Sequence, residues 1–257
     1  MCTILFAYQM HARFPLIVAS NRDEFTERPT AKAAFWKDAP HVLAGRDLVK
    51  GGTWLGINRE GQFAAVTNYR DPHQSRNGKA SRGDLVANFL RGSLDAPSYL
   101  AQIQTVRDRY QGFNLLVGNQ HDLWYYSNRH NELLSVAPGI HGISNSFLNT
   151  PWPKVEKGRA KLEELMPSAS ADQPDCDALF QLLTSSEQAE DHELPHTGVG
   201  LEVERGLSPL FIRLPAYGTR SSTVLWVDTK QHAIIFIERT YADERVVSEE
   251  LYKIEIL

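Results

Sequence analysis

The chain begins with two apolar, β-favouring runs, residues 2–8 (CTILFAY) and 14–20 (FPLIVAS), separated only by the polar QMHAR. Runs of strand length with so short a link predict an antiparallel hairpin that starts with the first residues. The hairpin constrains the rest of the fold. Cys2 opens a sheet strand, and the segment after the second strand, NRDEFTERP, is read as a loop returning beside it.

The same punctuation recurs along the chain. TWLGIN and QFAAVTNY flank REG, a second hairpin signature. The loop HQSRNGKASRG leads to DLVANFLRGSL, a helix with Asp84 as N-cap and Gly92 near its end, and residues 97–110 give another helix with proline at its start. FNLLVGN, DLWYYSN and ELLSVA read as a three-strand meander. WPKVEKGRAKLEELM has helical spacing despite Gly158, and CDALFQLLTS reads as a further helix. Residues 184–206 are acidic without strong periodicity and read as a loop or flap. STVLWVD, AIIFIERTY and LYKIEIL return to strands, with DTKQH as a turn. Strands and helices in this order predict an α+β fold of layers, with mostly antiparallel sheets covered by helices.

Composition narrows the function classes. A net charge of -4 gives no basis for binding nucleic acid through phosphate neutralisation. With only Cys2 and Cys176, neither a disulfide framework nor a thiolate zinc site is expected, and a cytoplasmic, reducing compartment is the natural one. No window approaches the roughly 20 apolar residues of a membrane span, so no stable membrane insertion is expected. The histidines form neither HExxH nor CxxCH, and Pro195 separates His192 from His196, so no metal site is expected. GGTWLG lacks the Lys-Ser/Thr of a phosphate loop. The sequence names no protein partner.

Four stretches can carry chemistry. Cys2, once methionine is trimmed, joins an α-amine with a pKa of about 8 to a thiol of about 8.5, and such an amine serves as base for its own side chain; the alternative is an unremarkable small residue at position 2. In SNRDEF, Asp23 can hold the cationic amine, while Arg22 can favour a thiolate or bind an acidic substrate group; the alternative is a turn with an ion pair. Asn68 in VTNYRDP is a candidate oxyanion donor or a strand-end residue, and Asn145 and Asn149 in HGISNSFLNTPWPK are candidates or backbone caps. Arg220 in YGTRSSTVLWVD is an anion clamp or a sheet-edge charge. Cys176 reads as a core residue.

Together these stretches resemble the NRDE family, whose name is the motif Asn21-Arg22-Asp23-Glu24 and which includes the transport-and-Golgi-organisation-2 proteins. MCTILF, SNRDEF, GGTWLGIN, VTNYRDP, GISNS with PWPK, and GTRSSTV carry the resemblance across nearly the whole chain, which implies one domain over 1–257. More distantly, Met-Cys-Thr, the aspartate at the end of the second strand, Asn58 to Gly61 running to Asn68, and Ser144-Asn145-Ser146 before Trp152 resemble choloylglycine hydrolases and penicillin V acylases. In those hydrolases an arginine precedes the motif, whereas here Ser20 precedes Asn21 and the arginine comes after it, at Arg22. The resemblance implies an αββα sandwich of the N-terminal-nucleophile-hydrolase kind. It implies catalytic roles for Cys2, Asp23, Asn68 and Asn145, and a ligand pocket involving Asn21, Arg22, Glu24 and Arg220. The family further implies handling of a small molecule, haem or an acyl compound such as acyl-CoA in lipid homeostasis, with haem as bound cargo rather than a required cofactor. The alternative it implies is cleavage of an amide or thioester by Cys2. Trp36, Trp54 and Trp152 are the expected apolar walls.

Overall fold

The computed structural model describes residues 2–73 and 79–256; the middle of the HQSRNGKASRG loop and the residues at both extremities lie outside that range. The opening hairpin forms as β1 (Cys2–Tyr8) and β2 (Leu16–Phe25), in a register that pairs Cys2 with Arg22 and Tyr8 with Leu16. All seven residues of β1 are buried. A strand covered on both faces is expected to lack polar alternation, as CTILFAY does.

β2 does not stop at Ser20. It continues through the polar SNRDEF because β12 (Tyr217–Asp228) pairs that stretch along its length, with β1 on the other side as far as Arg22. The expected loop is therefore a central strand. Its sheet runs β10 (Gly139–Ile143), β1, β2, β12, β13 (Ala233–Ala242) and β14 (Arg245–Glu255), with the two-residue β11 (Arg213–Leu214) also on β12. The second sheet runs in chain order from β3 (Thr30–Trp36) and β4 (Ala39–Asp47) through β5 (Leu55–Asn58) and β6 (Phe63–Asn68) to β7 (Phe113–Gly118), β8 (Leu123–Ser127) and β9 (Glu132–Ser135). Every strand pairing in both sheets is antiparallel.

Three apolar cores separate four layers. Ile4, Phe6, Leu43, Ile57 and Phe236 fill the space between the sheets. On the outer face of the second sheet lie α1 (Gly83–Arg91) and α2 (Ala96–Thr105), with Leu85, Phe89 and Leu100 packed against Phe113 and Tyr126. On the outer face of the first lie α3 (Pro153–Glu164) and α4 (Cys176–Leu183), closing over Leu5, Ile17 and Trp226. The result is the αββα order of helix, sheet, sheet, helix.

Two glycines show why these layers sit so close. A Cβ on Gly158 would lie 2.7 Å from Leu5, so glycine in the middle of α3 lets the helix rest directly on β1. A Cβ on Gly52 would lie 2.5 Å from the carbonyl carbon of Gly83. That contact fixes the start of α1, which begins one residue before Asp84; the flanking Arg82 gives no side-chain cap, and Asp84 sits in the first turn instead. A carboxylate there still suits the positive end of the helix. Residues 184–206, expected as loop, carry most of α5 (Leu201–Leu207). No helix among the described residues is long and apolar enough to cross a membrane.

Candidate functional site

The ends of β1, β2, β6 and β12 open on a cavity of about 830 Å³. Cys2 lies in its lining with Arg22, Asp23, Glu24 and Asn68, so five of the expected site residues converge on one space. Three further elements close it: Trp54 before β5, Gly83 at the start of α1, and Val199 and Val203 of the segment expected as a loop or flap, with Leu207 just after it.

The strand register sets the centre. Cys2 and Arg22 are direct neighbours across β1 and β2, and Cys2 is buried. Burial pushes its thiol up, against the opposing pull of the Arg22 guanidinium. The Arg22 guanidinium lies 4.2 Å above the Trp54 ring and 3.9 Å from Asp47. Trp54 is thus the apolar wall expected of it, and it orients a cation beside the thiol.

Asp23 is fixed from β12. The Thr219 hydroxyl donates to its Oδ1 at 2.7 Å, and the Tyr217 hydroxyl donates to its backbone carbonyl at 2.9 Å. Thr219 is held in turn by the Ile212 N–H, which donates to its hydroxyl at 2.9 Å. Burial raises the Asp23 carboxyl, and the positive charges of Lys154 and Arg22 oppose that rise. Lys154, reaching in from α3, is itself buried and donates to the Leu207 carbonyl at 2.8 Å; burial lowers its ammonium to about 8, with Asp23 resisting.

The asparagines divide. Asn68 lines the cavity. Asn145 does not: its Nδ2 donates to the Asn68 carbonyl at 3.0 Å, and its own carbonyl accepts from the Arg70 N–H at 2.7 Å. It ties the end of β10 to the end of β6, setting Asn68 rather than facing a ligand. Asn149 is the backbone cap of the alternative reading, with positive φ and its Oδ1 accepting from Gly142 N.

Asn21 and Arg220 also lie away from the cavity lining. Asn21 pairs with Thr3 on the strand face opposite Arg22, where its Nδ2 donates to the Leu183 and Leu210 carbonyls and its Oδ1 accepts from Ser222. With those bonds made, the first letter of the motif secures the helical layer. A bulge between Thr219 and Ser221 makes Arg220 the extra residue, and its Nη1 donates to the carbonyls of Phe25 and Thr26, locking the turn after β2. Glu24 stays at the rim, 3.8 Å from Arg28.

Trp36 packs in the second sheet's outer core between Arg46 and Arg91 rather than walling the cavity. Trp152 acts indirectly, its ring 4.7 Å from the guanidinium of Arg70. Cys176 opens α4 and packs against the core there, its thiol raised to about 11 by burial. Among the described residues no group of three or more His, Cys, Asp or Glu is placed to hold a metal ion.

Sequence reasoning missed Lys154, Thr219 and Arg70. Lys154 and Arg70 stand inside the stretches PWPK and VTNYRDP, where the neighbouring asparagines are the more obvious candidates; a lysine at the buried start of a helix is the available signal.

Solved structures share this architecture at low identity. The C2A mutant of conjugated bile acid hydrolase from Clostridium perfringens superposes with a TM-score of 0.53 and 10% identity, over 99% of this chain and 92% of that one. The Caenorhabditis elegans orthologue of N-acylethanolamine-hydrolyzing acid amidase gives 0.51 and 9%, over 87% and 92%. These likenesses establish the N-terminal-nucleophile-hydrolase fold. In sequence, the chain is 36% identical to the Transport and Golgi organization protein 2 homolog of Bos taurus, covering 93% of both, and 33% identical to that of Homo sapiens, covering 95% and 94%. The Drosophila melanogaster protein of that name is 30% identical over 93% of this chain and 92% of its own. The family model of Transport and Golgi organisation 2 matches residues 1–243, and this chain belongs to that family.

Proposed function

We propose that this protein is a cysteine N-terminal-nucleophile hydrolase acting on an amide or thioester of a small acyl compound. The observation that carries the reading is Cys2 in the lining of a cavity of about 830 Å³, paired in register with Arg22 and next to the tethered Asp23. In the proposed reaction, methionine removal frees the Cys2 amine, which Asp23 holds. Sγ attacks the carbonyl carbon, its proton passes to the amine, and the Asn68 amide meets the oxyanion. The C–N or C–S bond breaks as the amine returns that proton to the leaving group. Water then attacks the Cys2 thioester, giving the free acid and restoring the thiol. The two structural neighbours, named for hydrolysing conjugated bile acids and N-acylethanolamines, agree with acyl-amide chemistry on such a frame.

Intact mass after incubation with N-dodecanoylethanolamine and with a dodecanoyl thioester tests the reading. The expected result is loss of Met1, an acyl adduct located on Cys2, and product that Cys2→Ala does not form. A Met-free protein giving neither adduct nor product with either class refutes it.

A second reading, a carrier for haem or an acyl ligand, is favoured by one feature: the Asn145 amide is already bonded to Asn68 and so is not open to an oxyanion. In that reading Cys2 offers the thiolate ligand, with Arg22 near the carboxylates. A haem titration in which Cys2→Ala leaves spectrum and affinity unchanged would remove Cys2 from the ligand set.

A further inference from the structure

Arg70 lies two residues after Asn68 and lines the same cavity, yet it has no part in the reaction proposed above. Its position is over-determined. The backbone N–H is held by Asn145, the guanidinium lies over Trp152, and Nη1 donates to Glu204 of α5, in an ion pair whose side chains are only 6% and 4% exposed. Glu204 is anchored from its other oxygen by the N–H and hydroxyl of Thr197. What remains is one edge: Nε and Nη2 have no hydrogen-bond partner among the described residues, and both are buried. In a guanidinium these two nitrogens point parallel N–H bonds in one direction, the fork that matches two oxygens of a carboxylate or phosphate.

Of the other cations in the lining, Lys50 is exposed to solvent and the rest are engaged. Arg28 donates to Asp47, Lys79 to the Asp108 carbonyl, and Arg82 to the Gly112 carbonyl. Arg22 is committed to the Trp54 ring and lies 3.9 Å from Asp47, and its register places it at the thiol. Buried polar groups are as a rule hydrogen-bonded, so a paired, oriented, unsatisfied edge calls for an acceptor.

We propose that Arg70 is the acid-binding residue of the cavity: its Nε–Nη2 edge receives a carboxylate or phosphate on the ligand, making the preferred ligand an anionic acyl compound. The inference rests on the cavity being the ligand site and deepens that reading. Val66, Val203 and Leu214 supply apolar wall for the acyl portion. Glu204 and Trp152 act through Arg70 as positioning residues, so α5 is joined to the anion subsite by an ion pair.

The test compares three probes that share a dodecanoyl amide: N-dodecanoylglycine, N-dodecanoylethanolamine phosphate and the neutral N-dodecanoylethanolamine. Calorimetric titration into Cys2→Ala protein avoids turnover. At least one anionic probe is expected to bind about ten- to a hundredfold more tightly than the neutral one, and the tighter anion identifies carboxylate or phosphate as the source. Combining Arg70→Met with Glu204→Gln, which leaves no lone buried charge, should abolish the preference while neutral binding persists. Arg70→Lys keeps the charge opposite Glu204 but loses the fork, should forfeit most of the preference, and serves where the double variant does not fold. Equal affinity for all three probes, binding by none, or a preference surviving in these variants overturns the proposal. Acylation of Cys2 without charge preference sinks the anion subsite alone; charge preference without acylation keeps the subsite and sinks the hydrolase.

Discussion

Two acids lie two strands apart in the first sheet, each about 1% exposed: Asp23 on β2 and Glu238 on β13. Asp23 lines the cavity beside the positive charges of Lys154 and Arg22, with a hydroxyl bond from Thr219. Glu238 shares a strand face with Phe236 in the space between the sheets. There its Oε1 accepts from the Ala33 N–H of β3 at 2.7 Å, stitching one sheet to the other. Equal burial therefore has different consequences. Burial raises both carboxyls, the first within a charged ensemble that opposes the rise and the second to about 7 by desolvation.

The largest expected effect breaks the ensemble. Asp23→Asn keeps the shape and the Thr219 bond but leaves the Lys154 ammonium buried without its opposing carboxylate. Removing one member of a buried charge set costs about 3–5 kcal/mol, read from urea unfolding at pH 7. Asp23→Asn with Lys154→Met should recover most of that loss, because neither buried charge then stands alone. A single variant as stable as the parent would mean that Asp23 is neutral at pH 7, erasing the distinction from Glu238.

Glu238 should give the next effect, read through its dependence on pH. Its carboxyl titrates near 4.5 in the unfolded chain and near 7 in the folded one. Between those values the unfolded chain gives up its proton first, the folded state binds more protons, and stability falls as pH rises; below 4.5 both forms are protonated and nothing is lost. The displacement corresponds to roughly 3 kcal/mol above pH 7. Glu238→Gln keeps an acceptor for Ala33 and does not titrate. It should match the parent in urea unfolding at pH 4.5 and exceed it by about that amount at pH 8. Parallel stability curves for the two proteins between these pH values would show Glu238 ionised in the folded state.

The contrast between these acids also marks what the sequence reveals. The opening hairpin, the Leu55–Asn68 hairpin and the meander are legible because strand period and turn residues coincide there. β3 and β4 are not, since register shifts at Ala31/Ala34 and Phe35/Trp36 break the two-residue alternation. Five-residue β10 contains two glycines, and α5 turns Glu204, Gly206 and Leu207 inward, which is no apolar stripe. At the site, Cys2, Arg22, Asp23, Glu24 and Asn68 stand in motifs visible in the sequence, and all five fall in the cavity lining. Asn21 and Arg220 belong to the same motifs and do not, because strand parity and a bulge decide which way a motif letter points. Lys154 meets Asp23, and Glu204 meets Arg70, through chain separations that no local pattern encodes.

The smallest effect sharpens the comparison at Thr219. Its hydroxyl donates to Asp23 and accepts from the Ile212 N–H, so Thr219→Val removes a bond from the carboxylate and leaves a backbone donor without its acceptor. The loss of stability should be about 1–2 kcal/mol, measured by urea unfolding. Because the Thr219 bond lowers the Asp23 pKa, its removal lets burial raise the carboxyl further. Thr219→Ser retains the hydroxyl and should lose less. A valine variant as stable as the serine one, with the carboxyl of Asp23 unmoved in its NMR titration, would show that the cationic surroundings and not the tether set the state of that acid.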